Sequence, residues 1–134
     1  MQDCIFCKIV RKEAPSLSIY EDEKTLAFME LFPSAPGHLM VMPKRHGLSI
    51  LDYERKELGD LLETVKKVSD RLKKVMECDA LTIGINHLEK KGVPHLHIHI
   101  IPRWENDNGG IIQSIVQKKS NETREKIAEK LRKD

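Results

Sequence analysis

The 134-residue chain carries 23 lysines and arginines against 21 aspartates and glutamates, a formal charge of +2, with 40% apolar and 33% charged residues. That length suits a single domain over 1–134 with a core large enough to fold without disulfide staples. The near balance of charge argues against nucleic acid or a membrane surface as partner and leaves small molecules. No basic leader with an apolar core opens the sequence and no apolar run approaches the roughly 20 residues that span a bilayer, so a cytoplasmic protein is expected.

Three cysteines, Cys4, Cys7 and Cys78, are an odd number, which with a reducing compartment argues against a disulfide framework. The close Cys-x-x-Cys pair points to metal or redox chemistry. The polar, proline-containing stretch 11–18 then reads as a turn before the first strands. Ile19 and Tyr20 enter a charged turn at 21–24 and residues 25–31 return, a hairpin. "PSAPG" (33–37) is a second turn and "HLMVMP" (38–43) a third strand stopped by Pro43.

From Asp52 the period changes: Leu58, Leu61, Leu62, Val65, Val68, Leu72, Val75 and Met76 recur at three- and four-residue steps, one long helix with Asp52 as N-cap and Glu54 in its first turn. Its lysines and arginines alternate with Glu63, Asp70 and Glu77, as on a solvated face. Cys78, late in this helix, reads as a small buried apolar residue. "ALTIGIN" (80–86) is a strand, 87–94 a polar loop, and 95 to Pro102 a last strand. Residues 111–116 form a short apolar element of undetermined type, and a short amphipathic helix from Asn121 turns Ile127 and Leu131 inward. Strands with one long helix indicate an α+β domain.

The last strand holds "HLHIHII" (95–101), three of the chain's 6 histidines at alternate positions. In an extended segment His95, His97 and His99 share one face, about 7 Å apart, while Leu96, Ile98 and Ile100 share the other. A histidine on a strand is often only a hydrogen-bonded bystander, but three in strict alternation point to chemistry. A neutral imidazole can attack phosphorus if its second nitrogen donates a hydrogen bond, here to a backbone carbonyl near His95, that fixes the tautomer. His99, two residues on, is the candidate for stabilising developing charge and protonating the leaving group.

This heptad resembles the signature of the histidine triad (HIT) nucleotide hydrolases and transferases. "CIFCKIVRKEAPSLSIYEDEKTLAF" and "PSAPGHLMVMPKRH" extend the likeness over roughly 3–104. The resemblance implies a HIT fold, a five-stranded antiparallel sheet with one long helix and here a short C-terminal helix, usually paired as a homodimer. It implies that His97 attacks the α-phosphate of a nucleotide, forming a nucleotidyl-histidine that water or another acceptor resolves, with adenosine phosphoramidates or dinucleoside polyphosphates as substrates. His38 takes an orienting or phosphate-contacting role by this match and Asn86 a phosphate-contacting one. Phe6, Ile9, Phe28 and Leu31 line the base site. Glu30 stands where the family usually has an aspartate accepting from the ribose hydroxyls, one methylene longer. A second departure is the shortened loop before the triad, where "EKKG" replaces a Gly-Gln-rich segment and Lys90 and Lys91 offer charge that suits anionic leaving groups. Trp104, in "PRW", resembles the members that act on dinucleoside polyphosphates.

Cys4 and Cys7 with His46 and His95 make a Cys₂His₂ donor set of the kind structural zinc prefers, as in some HIT proteins. Such a zinc ties the N-terminal segment to the catalytic strand. Two rival readings remain: a hydrolase whose catalytic zinc is held by His95, His97 and His99, and a non-catalytic nucleotide-binding protein of the same fold.

Overall fold

A computed structural model describes residues 3–133. Five strands, β1 (Ser18–Glu21), β2 (Thr25–Met29), β3 (Leu39–Pro43), β4 (Ala80–Gly84) and β5 (Ile98–Arg103), form one antiparallel sheet in the order β1-β2-β3-β5-β4. The hairpin between β1 and β2 is closed by Asp22, whose Oδ1 accepts the backbone N–H groups of Lys24 (2.9 Å) and Thr25 (2.8 Å). β2 stops at Met29, so Glu30 and Leu31 lie beyond the strand expected to hold them.

Helix α2 (Arg55–Met76) lays Leu61, Val65, Val68 and Leu72 on one sheet face, against Ala27, Leu39, Val41, Ile98 and Ile100. Leu62 and Val75, expected in that stripe, are exposed, because steps of 100° carry them round to the solvent side. The expected N-cap also shifts. Asp52 ends a separate 3₁₀ turn (Ile50–Asp52), where its carboxylate accepts the N–H groups of Leu48 (2.8 Å) and Ser49 (3.0 Å), and Glu54 caps α2. The helix ends at Met76, with Glu77 in the left-handed conformation (φ 50°) as its C-cap, so Cys78 is buried as expected but lies beyond the helix that was expected to hold it.

The opposite face carries a second apolar cluster, in which Phe6, Cys7 and Ile9 of α1 (Ile5–Val10) meet Leu26, Phe28, Met40 and Met42. Six residues are too few for periodicity to register, and the sequence reading assigned no element there. At the other end, residues 112–114 form a 3₁₀ turn and α3 spans Arg124–Leu131, capped by Thr123 Oγ1 accepting the Lys126 N–H at 3.2 Å. The inward face expected for α3 is not realised: Leu131 is 80% exposed and the helix buries none of its residues.

Candidate active site and metal cluster

The alternation read in the heptad holds. Leu96, Ile98 and Ile100 enter the core beneath α2, while His95 and His97 turn towards Phe6 of α1 at ring separations of 5.9 and 5.1 Å. The ladder itself begins only at Ile98, opposite Val41. Continued by two residues, that register would set Leu96 opposite Pro43, which has no N–H to give. Leu96 donates instead to the Gly47 carbonyl at 2.8 Å, and the Pro43 carbonyl accepts from His95 Nε2 at 2.8 Å. The end of β3 thereby orients the first histidine.

The three histidines are divided among three tasks. His97 donates from Nδ1 to the backbone carbonyl of His95 at 2.7 Å, as expected, which leaves the Nε2 lone pair facing the cleft. His99 is set by a two-step relay. The Ser34 N–H donates to His38 Nδ1 (3.0 Å), so the His38 proton sits on Nε2 and is donated to His99 Nδ1 (2.9 Å), and His99 presents Nε2–H outward. Burial pushes the His99 imidazole down to about 4, with His97 and His38 beside it adding to the effect, and burial lowers His38 as well. At neutral pH, His99 is therefore a neutral hydrogen-bond donor. This arrangement serves the stabilisation of developing charge better than delivery of a proton, the other duty expected of it.

Glu30 reaches this pair: its Oε2 lies 3.9 Å from His99 Nδ1 while Oε1 accepts the Phe32 N–H at 3.2 Å. Phe6, Ile9 and Phe28 come together as buried neighbours, Phe6 meeting Phe28 edge to face at 5.3 Å. Leu31 does not join them; past the end of β2 it is 79% exposed. Asn86 shares with His97 the walls of a cleft of about 210 Å³. Lys90 and Lys91 both point to solvent. The residue of "EKKG" that enters the site is Glu89, whose Oε1 stands 3.9 Å from His97 Nε2. Sequence reasoning missed it, because no side-chain period marks a loop carboxylate; a Cβ at Gly92 would fall 1.7 Å from Glu89 Oε1, so a side chain there would displace the carboxylate from this position.

Beside this site Cys4, Cys7, His46 and His95 converge, all four donor atoms within 4.8 Å of one another. Cys7 Sγ is 3.3 Å from His46 Nδ1 and 3.6 Å from His95 Nδ1, and Cys4 Sγ is 3.6 Å from His95 Nδ1. A tetrahedral zinc with ordinary bond lengths sets sulfur and nitrogen about 3.5 Å apart, so the donors fit it. Their chemistry fits too. The Pro43 carbonyl holds the His95 proton on Nε2 and frees Nδ1 towards the thiols, the usual orientation for a metal-bound histidine. Burial pushes His95 down to about 4, keeping it neutral, and pushes the Cys7 thiol up, with Cys4 beside it adding to the rise. His95 thus belongs with the cysteines and His99 with His38. A catalytic metal held jointly by the three heptad histidines does not match this division.

A family model described as the HIT domain matches residues 11–106. The chain belongs to the HIT family. An uncharacterized HIT-like protein of Borreliella burgdorferi is 41% identical, the match covering 82% of each chain. The adenosine 5'-monophosphoramidase of Saccharomyces cerevisiae is 34% identical, over 81% of this chain and 68% of that one. Among solved structures, a zinc-bound histidine triad protein from Mycobacterium smegmatis superposes with a TM-score of 0.74 at 30% identity, covering 80% of this HIT protein and 79% of the other. Cys4 and Cys7 precede the stretch matched by the family model, so the case for their metal site rests on the donor geometry.

Proposed function

We propose that this HIT protein hydrolyses a nucleotide, with adenosine phosphoramidates and dinucleoside polyphosphates as the candidate substrates, through a nucleotidyl-histidine formed on His97. The observation that carries the reading is the 2.7 Å bond from His97 Nδ1 to the His95 carbonyl, which turns Nε2 towards the cleft. That nitrogen attacks the α-phosphorus, the bond to the leaving group breaks, and its electron pair departs with that group. The imidazolium so formed keeps its Nδ1 proton on the His95 carbonyl, which disperses the positive charge. His99 Nε2–H and the Asn86 amide donate to the phosphoryl oxygens, while His38 acts through His99 as a positioning residue. Water then attacks phosphorus and restores His97.

The nucleoside side of this reading places the base against Phe6, Ile9 and Phe28 with Leu31 at its open edge, and gives the ribose hydroxyls to Glu30. The relative from Saccharomyces cerevisiae, named for adenosine 5'-monophosphoramidase activity, supports an adenosine phosphoramidate. Zinc on Cys4, Cys7, His46 and His95 would act as a structural tie between α1 and the heptad, supported by the donor geometry and the zinc-bound neighbour. We place the protein in the cytoplasm as a homodimer; among the described residues no helix is long and apolar enough to cross a membrane.

The test is incubation with adenosine 5'-phosphoramidate and a diadenosine polyphosphate beside His97→Ala, following AMP release and covalent adenylate by mass spectrometry. Turnover or an adduct in the parent and neither in a folded His97→Ala is the expected result. A parent that binds nucleotide but cleaves neither substrate would favour the binding-protein reading instead.

A further inference from the structure

We propose that Glu89 is a specificity-determining residue that receives the nitrogen of an amine leaving group, so that the cleft beside His97 favours phosphoramidates of aliphatic primary amines over substrates whose leaving group is anionic. The inference rests on the hydrolase reading above and adds to it the identity of the departing group.

A carboxylate faces the proposed nucleophile here: the Nδ1 bond to the His95 carbonyl turns His97 Nε2 to the cleft, and Glu89 Oε1 lies 3.9 Å from that nitrogen. A carboxylate this close to a nucleophile repels an approaching phosphate unless a cation or an N–H donor stands between them. An amine on phosphorus supplies one. The cleft of about 210 Å³ that holds both groups is otherwise walled by Leu48, Ile85, Leu88 and Val93, apolar side chains suited to an alkyl chain. Lys90 and Lys91, the cations that would welcome a polyphosphate, point to solvent.

The bridging nitrogen of P–NH–R takes a proton from water, and the hydroxide left behind is neutralised by the proton released when a second water resolves the nucleotidyl-histidine; Glu89 favours the cationic P–NH₂⁺–R form by accepting its N–H. His97 Nε2 bonds to phosphorus as the P–N bond breaks, and its electron pair leaves with the neutral amine R–NH₂. This supplies the leaving-group proton that a neutral His99 is poorly set to deliver.

Two variants test the proposal. Glu89→Gln keeps the shape and removes the charge. Gly92→Ala leaves Glu89 in place but puts a methyl group 1.7 Å from its Oε1 position, driving the carboxylate out of the cleft. With kcat/KM measured on an adenosine alkylphosphoramidate and on a diadenosine polyphosphate, both variants should lower the first by about tenfold or more, the weight of a charged hydrogen bond. Both should hold or raise the second. Equal changes on the two substrates, or none, would overturn the role of Glu89 while leaving the hydrolase reading intact. A parent that cleaves neither substrate would overturn both.

Discussion

Acidification should reveal the buried neutral state of His99. Its imidazole is pushed from an ordinary 6.5 to about 4, so between those values the unfolded chain binds a proton that the folded one refuses. The His99 contribution is therefore complete above pH 6.5 and lost as pH falls towards 4. Each unit of pH in that window costs about 1.4 kcal/mol, which makes the loss about 2 kcal/mol at pH 5. The side chain is 20% exposed, so little of this is screened by solvent. Urea unfolding of the parent and of His99→Gln at pH 7, 6 and 5 reads out the effect, because His95 and the carboxylates remote from the site titrate alike in both proteins, and repeating the pair in a Glu30→Gln background separates the contribution of the one carboxylate beside His99. The parent should lose about 2 kcal/mol more than the variant between pH 7 and 5. Parallel declines would refute the neutral, relay-held His99 and restore it as a candidate acid.

Removal of metal from the Cys4, Cys7, His46 and His95 cluster by a strong chelator should lower the thermal midpoint by on the order of 10 °C, with activity decaying only as fast as the fold loosens; instant inactivation of a protein with an unchanged midpoint would instead mark a catalytic metal. Gly47→Ala should cost about 1–3 kcal/mol by urea unfolding, through overpacking. Its Cβ would fall 2.6 to 2.7 Å from the Tyr53 ring, which is buried and held by its hydroxyl donating to the Arg45 carbonyl at 2.7 Å. A neutral substitution would show that the ring moves aside freely.

The parts of this protein legible in its sequence are those written in side-chain period. The two-residue alternation of 95–101 placed three histidines opposite Leu96, Ile98 and Ile100, and the three- to four-residue recurrence after Asp52 located α2, although the expected helix ran on to Cys78, beyond its actual end at Met76. Cys4 and Cys7 alone left metal and redox chemistry open; their grouping with His46 and His95 leaned on the family resemblance, and the structure brings the four donor atoms within 4.8 Å of one another. What escaped depends on length or on backbone. α1 is too short to show a period. The N-cap of α2 passed from Asp52 to Glu54 because an intervening 3₁₀ turn took Asp52 for its own N–H groups.

The same distinction explains why the site could be located in sequence but its protons could not. Ser34 N–H, the His95 carbonyl and the Pro43 carbonyl decide the tautomers of His38, His97 and His95, and none is a side-chain signal. Pro43 is the informative case. With no N–H at 43 to continue it, the β3–β5 ladder stops at Val41 and Ile98, midway along the heptad, and the Pro43 carbonyl is left to orient His95 towards the cysteines. The heptad is therefore half ladder and half free strand: His99 lies on the paired part and joins His38 across it, whereas His95 and His97 lie on the unpaired part, where a backbone carbonyl can reach a ring. A residue with an N–H at 43 that extended the ladder would compete for the Leu96 and His95 contacts together, linking the Cys₂His₂ cluster and the proposed nucleophile through one backbone position.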